Sequence, residues 1–95
     1  DMGQTYGVPV EEIQEGIKNG VRKVNIDTDL RMASTGSVRK HLAENPSNFD
    51  PRKFLKASTA AMKGICQARF EAFGSAGHAD KIKVKSLEQM ISFYK

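Results

Sequence analysis

Gly20-Val21-Arg22-Lys23-Val24-Asn25-Ile26-Asp27-Thr28-Asp29 is the stretch on which the reading of this chain turns. Its apolar residues, Val21, Val24 and Ile26, are too few for a helix, and all three are β-branched. That composition predicts a short strand at about 23–26. Asp27 or Thr28 then starts a helix as its cap, with Asp29 in the first turn, where an acid is favoured. A lone strand cannot satisfy its own backbone groups or make a sheet. The strand is therefore expected to pair with strands outside these residues.

The neighbouring sequence supplies helices on both sides. Residues 1–8 are polar and Gly-containing and read as a loop. Pro9 opens a helix in which Val10, Ile13 and Ile17 recur at helical spacing, with Glu11 and Glu12 in the first turn. Asn19-Gly20 ends it, Gly20 being suited to the position after the C-cap. Beyond the strand, Leu30, Ala33, Val38 and Leu42 give a loose apolar face to a helix at about 29–44. Gly36 weakens that helix and Asn45-Pro46 stops it. Asp50-Pro51 is a strong helix start, an acidic N-cap followed by Pro at the first helical position. The helix runs over about 51–73, with Leu55, Met62, Ile65, Cys66, Arg69, Phe70 and Phe73 along one side, and Gly74 ends it. A Gly/Ala/Ser loop leads to Lys81–Lys85, where basic and apolar residues alternate. Ser86 then caps a last helix at about 87–94. Helix–strand–helix order with a polar tip after the strand is the local pattern of an α/β protein, and of its last unit.

Composition narrows the classes. The 95 residues fit one small domain at most. A domain of that size buries only about 60–65% of its unfolded surface. The net charge of +4, from 15 Lys and Arg against 11 Asp and Glu, suits an anionic small molecule as well as a nucleic acid. The single cysteine, Cys66, excludes an internal disulfide framework and fits a reducing compartment. No apolar run approaches the ~18 residues of a membrane-spanning helix. Asp1-Met2-Gly3-Gln4 has neither a basic nor an apolar leader region, and position 1 is not methionine. The sequence reads as a piece of a longer chain.

Two groups of residues carry possible chemistry. Where a strand ends and a helix begins, free N–H groups and the helix dipole receive anions. In barrels built of alternating strands and helices, phosphates are often held there. Asn25 can donate its amide to a carbonyl or hydroxyl oxygen, and Thr28 offers a hydroxyl and an N–H. Asp27 repels a phosphate but can accept from substrate hydroxyls or orient a neighbour. Helix capping alone also explains Asp27 and Thr28, and both roles can coexist. The second group is Asp50-Pro51-Arg52. Arg52 lies in a first turn, where a cation opposes the helix dipole by about 0.3–1 kcal/mol. Together with the positive helix end, and with Lys53 nearby, its guanidinium would suit a phosphate. A solvated surface arginine is the plainer alternative.

The other candidates are weaker. His41 and His78 have no partner at metal-ligand spacing. Cys66, on an apolar helix side, reads as buried and inert. The Lys81, Lys83, Lys85 alternation lacks interleaved aromatics and reads as a solvated segment.

The run Thr5-Tyr6-Gly7-Val8-Pro9-Val10-Glu11-Glu12-Ile13, then Gly16-Ile17, then Gly20 through Asp29, resembles the C-terminal region of class II, metal-dependent fructose-bisphosphate aldolases. Phe49-Asp50-Pro51-Arg52-Lys53-Phe54-Leu55 does so as well. Cys66-Gln67-Ala68-Arg69-Phe70-Glu71-Ala72-Phe73-Gly74 is similar to the bacterial branch that includes Calvin-cycle enzymes. The resemblance covers nearly the whole chain, and the block from Gly20 to Asp29 is its most specific part.

The resemblance implies the C-terminal portion of a TIM (β/α)8 barrel, with residues 1–95 forming part of a single domain. It implies reversible cleavage of fructose 1,6-bisphosphate to dihydroxyacetone phosphate and glyceraldehyde 3-phosphate. A divalent metal, usually Zn2+, polarises the ketone. Carried over residue by residue, it assigns Asn25, Ile26 (through its backbone), Asp27 and Thr28 to dihydroxyacetone phosphate. It assigns Arg52 to the distal phosphate held in a neighbouring subunit's site. The family's metal ligands and catalytic acids are expected upstream, so this segment alone is expected to be inactive. A cytoplasmic homodimer or homotetramer without nucleic-acid or membrane partners is implied. A tagatose-bisphosphate aldolase of the same superfamily and a small basic helical binding module stand as alternatives.

Overall fold

The computed structural model describes residues 7–94, so the first six positions of the expected N-terminal loop lie outside the described residues. Four α-helices follow one another: α1 (Val10–Lys18), α2 (Thr28–Glu44), α3 (Pro51–Ala72) and α4 (Leu87–Ser92), with a short 3-10 turn at Ala79–Lys81.

Two of the helix ends are built alike. Val21 N–H donates to Gly16 O at 3.0 Å and Gly20 N–H to Ile17 O at 3.2 Å, with Gly20 at φ 109°. At the end of α3, Ser75 N–H donates to Phe70 O at 2.9 Å and Gly74 N–H to Glu71 O at 3.2 Å, with Gly74 at φ 73°. Both are Schellman motifs, which need the left-handed backbone that glycine adopts without steric cost. After α1 the motif throws Val21 back onto Gly16, where an added Cβ would sit 3.3 Å from Val21 Cγ2. This contact sets the direction in which residues 21–27 leave the helix.

α2 and α3 form an antiparallel pair, and the order of their contacts fixes its sense. Asp29 meets Arg69, and Ser34 meets Ser58 further along. Small residues let the two backbones approach. The Ser34 and Ser58 hydroxyls share a hydrogen bond of 2.6 Å, and Ser58 is the one residue buried among those described. α1 leans on the far end of α3, where Gln14 Nε2 donates to Ala72 O at 2.9 Å. α4 packs against none of the other helices. Leu55 and Phe70, expected on the apolar side of α3, are 52% and 57% exposed. Cys66, expected to be buried, is only half-buried. No apolar side chain is buried among the described residues. The radius of gyration is 18.2 Å, against about 12 Å for a compact domain of this length. The apolar faces of these helices are formed but left uncovered.

The strand expected at about 23–26 is not formed. Residues 21–27 carry no regular secondary structure. The main chain of 22–26 makes no backbone hydrogen bond to any other described residue. The physical reason is the one the sequence anticipates, since a strand exists only through a ladder to a neighbour. The side chains nevertheless alternate. Val24 and Ile26 are partly covered, whereas Lys23, Asn25 and Asp27 are exposed. That is the period-two pattern of a segment with one face on the helices and the other open.

Candidate functional site

The segment 21–26 runs between two clefts. One, of about 520 Å³, lies toward α3 and is lined by Ile17, Cys66, Phe70 and Phe73 among others. The other, of about 470 Å³, lies at the start of α2 and is lined by Asn25, Ile26, Asp27 and Thr28, with Asp29 and Arg69 beside them. The four residues assigned to one ligand from the sequence therefore share one cleft.

The start of α2 has an uncommitted character. Asp27 occupies the N-cap position, yet its side chain makes no capping bond. Asp27 thus holds the cap position expected from the sequence, and only the side-chain bond of a cap is missing. Asp27 Oδ1 instead accepts from Arg31 Nε at 2.8 Å, in a pair whose side chains are 67% and 78% exposed. Such an i,i+4 pair contributes only about 0.2–0.5 kcal/mol. Its carboxylate has therefore turned away from the N–H groups it would have covered. Those of Thr28, Asp29 and Leu30 have no acceptor inside the helix by geometry. None finds a side-chain acceptor among the described residues. Lys23 Nζ donates to Asn25 Oδ1, which leaves Nδ2 as the amide's remaining donor.

Asp29 is committed. Its Oδ1 accepts from Gly7 N–H at 2.9 Å and its Oδ2 from Arg69 Nη2 at 2.8 Å. The side chains of Arg69 and Asp29 are 20% and 10% exposed. The Arg69 hydrogen bond, then the Gly7 N–H, hold the Asp29 carboxyl below its ordinary 3.8, against the opposing effect of burial. A depressed carboxyl pKa stabilises the fold above the unfolded value, and that stability is lost as pH falls through the folded value. Arg69 was visible in the sequence as a charge on the apolar side of its helix. Its partner, forty positions away in the first turn of another helix, was not paired with it there.

Arg52 lies elsewhere. It sits at the start of α3, while Arg69 and the cleft lie near the end of that helix, roughly 25 Å away along the axis. Asp50 caps α3, accepting from Arg52 N–H at 3.0 Å, and Pro51 follows it. The Arg52 guanidinium folds back on the same carboxylate, with Nη2 to Oδ2 at 2.8 Å. The Arg52 side chain is 91% exposed and that of Asp50 is 23% exposed. The pairing lowers the Asp50 pKa and raises that of Arg52. Lys53 lines a shallow recess with His41 and Phe49.

The histidines are occupied with neighbours. His41 Nε2 shares a hydrogen bond of 2.6 Å with Asn48 Nδ2, and His78 Nδ1 one of 3.1 Å with Lys81 Nζ. No three His, Cys, Asp or Glu side chains converge on a metal-sized site among the described residues. The residues present do not fit a metal, and no chemical step is assigned to one held by them. No helix among the described residues is long and apolar enough to cross a membrane.

With this geometry in place, the class of protein follows from comparison. The model of the family "Fructose-bisphosphate aldolase class-II" matches residues 4–78. The chain belongs to this family. It is 67% identical over 94 residues to a fructose-bisphosphate aldolase of Stutzerimonas stutzeri, a match covering 99% of this chain and 27% of the relative. It is 65% identical over 94 residues to one of Pseudomonas aeruginosa, with the same coverage of 99% and 27%. A fructose-bisphosphate aldolase 2 of Rhodobacter capsulatus is 60% identical over 93 residues, covering 98% of this chain and 82% of that protein. The chain thus spans about a quarter of the length of the first two relatives. Family membership sets aside the small basic binding module.

Proposed function

We propose that this chain is the C-terminal portion of a class II fructose-bisphosphate aldolase barrel. In the whole enzyme it serves the reversible cleavage of fructose 1,6-bisphosphate to dihydroxyacetone phosphate and glyceraldehyde 3-phosphate. The observation that carries this reading is the cleft shared by Asn25, Ile26, Asp27 and Thr28 at an α2 start whose cap has turned away. Residues 23–26 become the last barrel strand when neighbouring strands meet their unpaired main chain. Lys23 and Asn25 then face the barrel interior, and Val24 and Ile26 face the helices.

Each residue has a role in this reading. Asn25 donates its amide to an oxygen of dihydroxyacetone phosphate, and Ile26 contributes its backbone. Asp27 accepts from a substrate hydroxyl, giving up a weak exposed pair with Arg31 to do so. Thr28 offers hydroxyl and N–H. Arg52 is too far along α3 to touch the same small molecule, so it reaches the distal phosphate in the site of a second copy, within a homodimer or homotetramer. A divalent metal, Zn2+ in the fullest form of the reading, supplies Lewis-acid chemistry from ligands elsewhere in the enzyme. The segment alone is inactive, and the enzyme works in the cytoplasm.

The test is a coupled aldolase assay on the full-length enzyme that contains this segment, with and without a chelator. Chelator-sensitive cleavage of fructose 1,6-bisphosphate is the expected result. Preference for tagatose 1,6-bisphosphate would move the assignment to the sister activity. Cleavage of neither would overturn the reading.

A further inference from the structure

We infer that Arg69 is a positioning residue for the ligand at residues 25–28, acting through Asp29 by cancelling its charge. The inference rests on the functional reading above. Asp29 is the second residue of α2, next to Thr28, and its carboxylate lies in the wall of the same cleft. An uncancelled anion there would repel a phosphate and offset the positive end of the helix. The guanidinium of Arg69 meets it at 2.8 Å, and the pair is largely shielded from water. The second carboxylate oxygen accepts from Gly7 N–H at 2.9 Å, so both oxygens are held by partners away from the start of α2. Arg69 also fastens the last turns of α3 to the first turn of α2. It lines both clefts beside the segment 21–26.

A purely structural tie and a charge-cancelling one make different predictions for a double variant. Arg69→Met leaves Asp29 charged and unpaired. Asp29→Asn combined with Arg69→Met loses the same tie but carries no surplus charge. The experiment measures the dissociation constant of dihydroxyacetone phosphate for full-length holoenzyme by calorimetry, with thermal unfolding recorded for each variant. Arg69→Met is expected to weaken binding on the order of tenfold. The double variant is expected to recover most of that loss while remaining less heat-stable than wild type. Unchanged binding in Arg69→Met overturns the inference, and so does equal weakening in the single and double variants. If Arg69→Met does not fold, Arg69→Lys decides. Binding close to wild type supports charge cancellation, and a tenfold loss overturns it. Wild-type holoenzyme that binds no dihydroxyacetone phosphate overturns the functional reading itself, and is told apart by that control.

Discussion

The two long helices begin with the same residue type and use it in opposite ways. Asp50 at the start of α3 turns its carboxylate onto the helix, takes the Arg52 N–H at 3.0 Å and holds the Arg52 guanidinium as well. Asp27 at the start of α2 caps nothing and holds Arg31 from an exposed position. The first helix start is internally satisfied, whereas the second leaves its donors open toward a cleft. Surplus donors that a protein leaves unmet are available to a ligand, and a filled cap has none to offer. The comparison also separates two kinds of arginine. Arg69 is shielded and matched to a partner across the fold. Arg52 is matched within its own turn and stays open to solvent.

Substitutions in the full-length enzyme put this contrast to the test. The largest effect is expected from Asn25→Ala. If Asn25 holds the substrate as proposed, losing its amide should lower kcat/KM on the order of a hundredfold with little change in thermal stability. Steady-state kinetics with a melting curve would check both parts. Arg52→Ala should raise KM for fructose 1,6-bisphosphate about tenfold, from loss of one charge-assisted contact. An unaltered KM would return Arg52 to the role of a surface residue. Asp50→Ala should lower the denaturant midpoint measurably, since a filled N-cap is lost. Asp27→Ala should cost less than about 0.5 kcal/mol, since only an exposed i,i+4 pair is lost. A cost for Asp27 equal to that for Asp50 would erase the distinction between the two helix starts.

The sequence was most legible where local chemistry decides structure. Asp50-Pro51 combines a capping acid with a proline that needs no N–H donor, so the start of α3 depends on nothing distant. Gly20 and Gly74 mark helix ends because their positive φ angles suit glycine. Legibility failed where the deciding partner is far away along the chain or absent among the described residues. The strand expected at 23–26 has its composition and its alternation, but no neighbouring strand stands among the described residues to pair with it. Leu55 and Phe70 belong to an apolar stripe, yet nothing among the described residues covers them, so they are exposed. The choice of Asp27 between capping and facing the cleft is a matter of side-chain rotation, which residue type does not fix. Asp29 and Arg69 were each noticeable as a charge, but their pairing over a separation of 40 residues depends on the packing of α2 against α3.

Residues 25–28 are proposed to hold dihydroxyacetone phosphate at the end of a barrel strand. The most direct test is a crystal structure of the full-length enzyme with dihydroxyacetone phosphate bound. Residues 23–26 are expected to be paired on both sides as a strand, with Asn25 Nδ2 and Thr28 within hydrogen-bond distance of the ligand. A ligand bound with no contact to residues 25–28 would contradict the proposal.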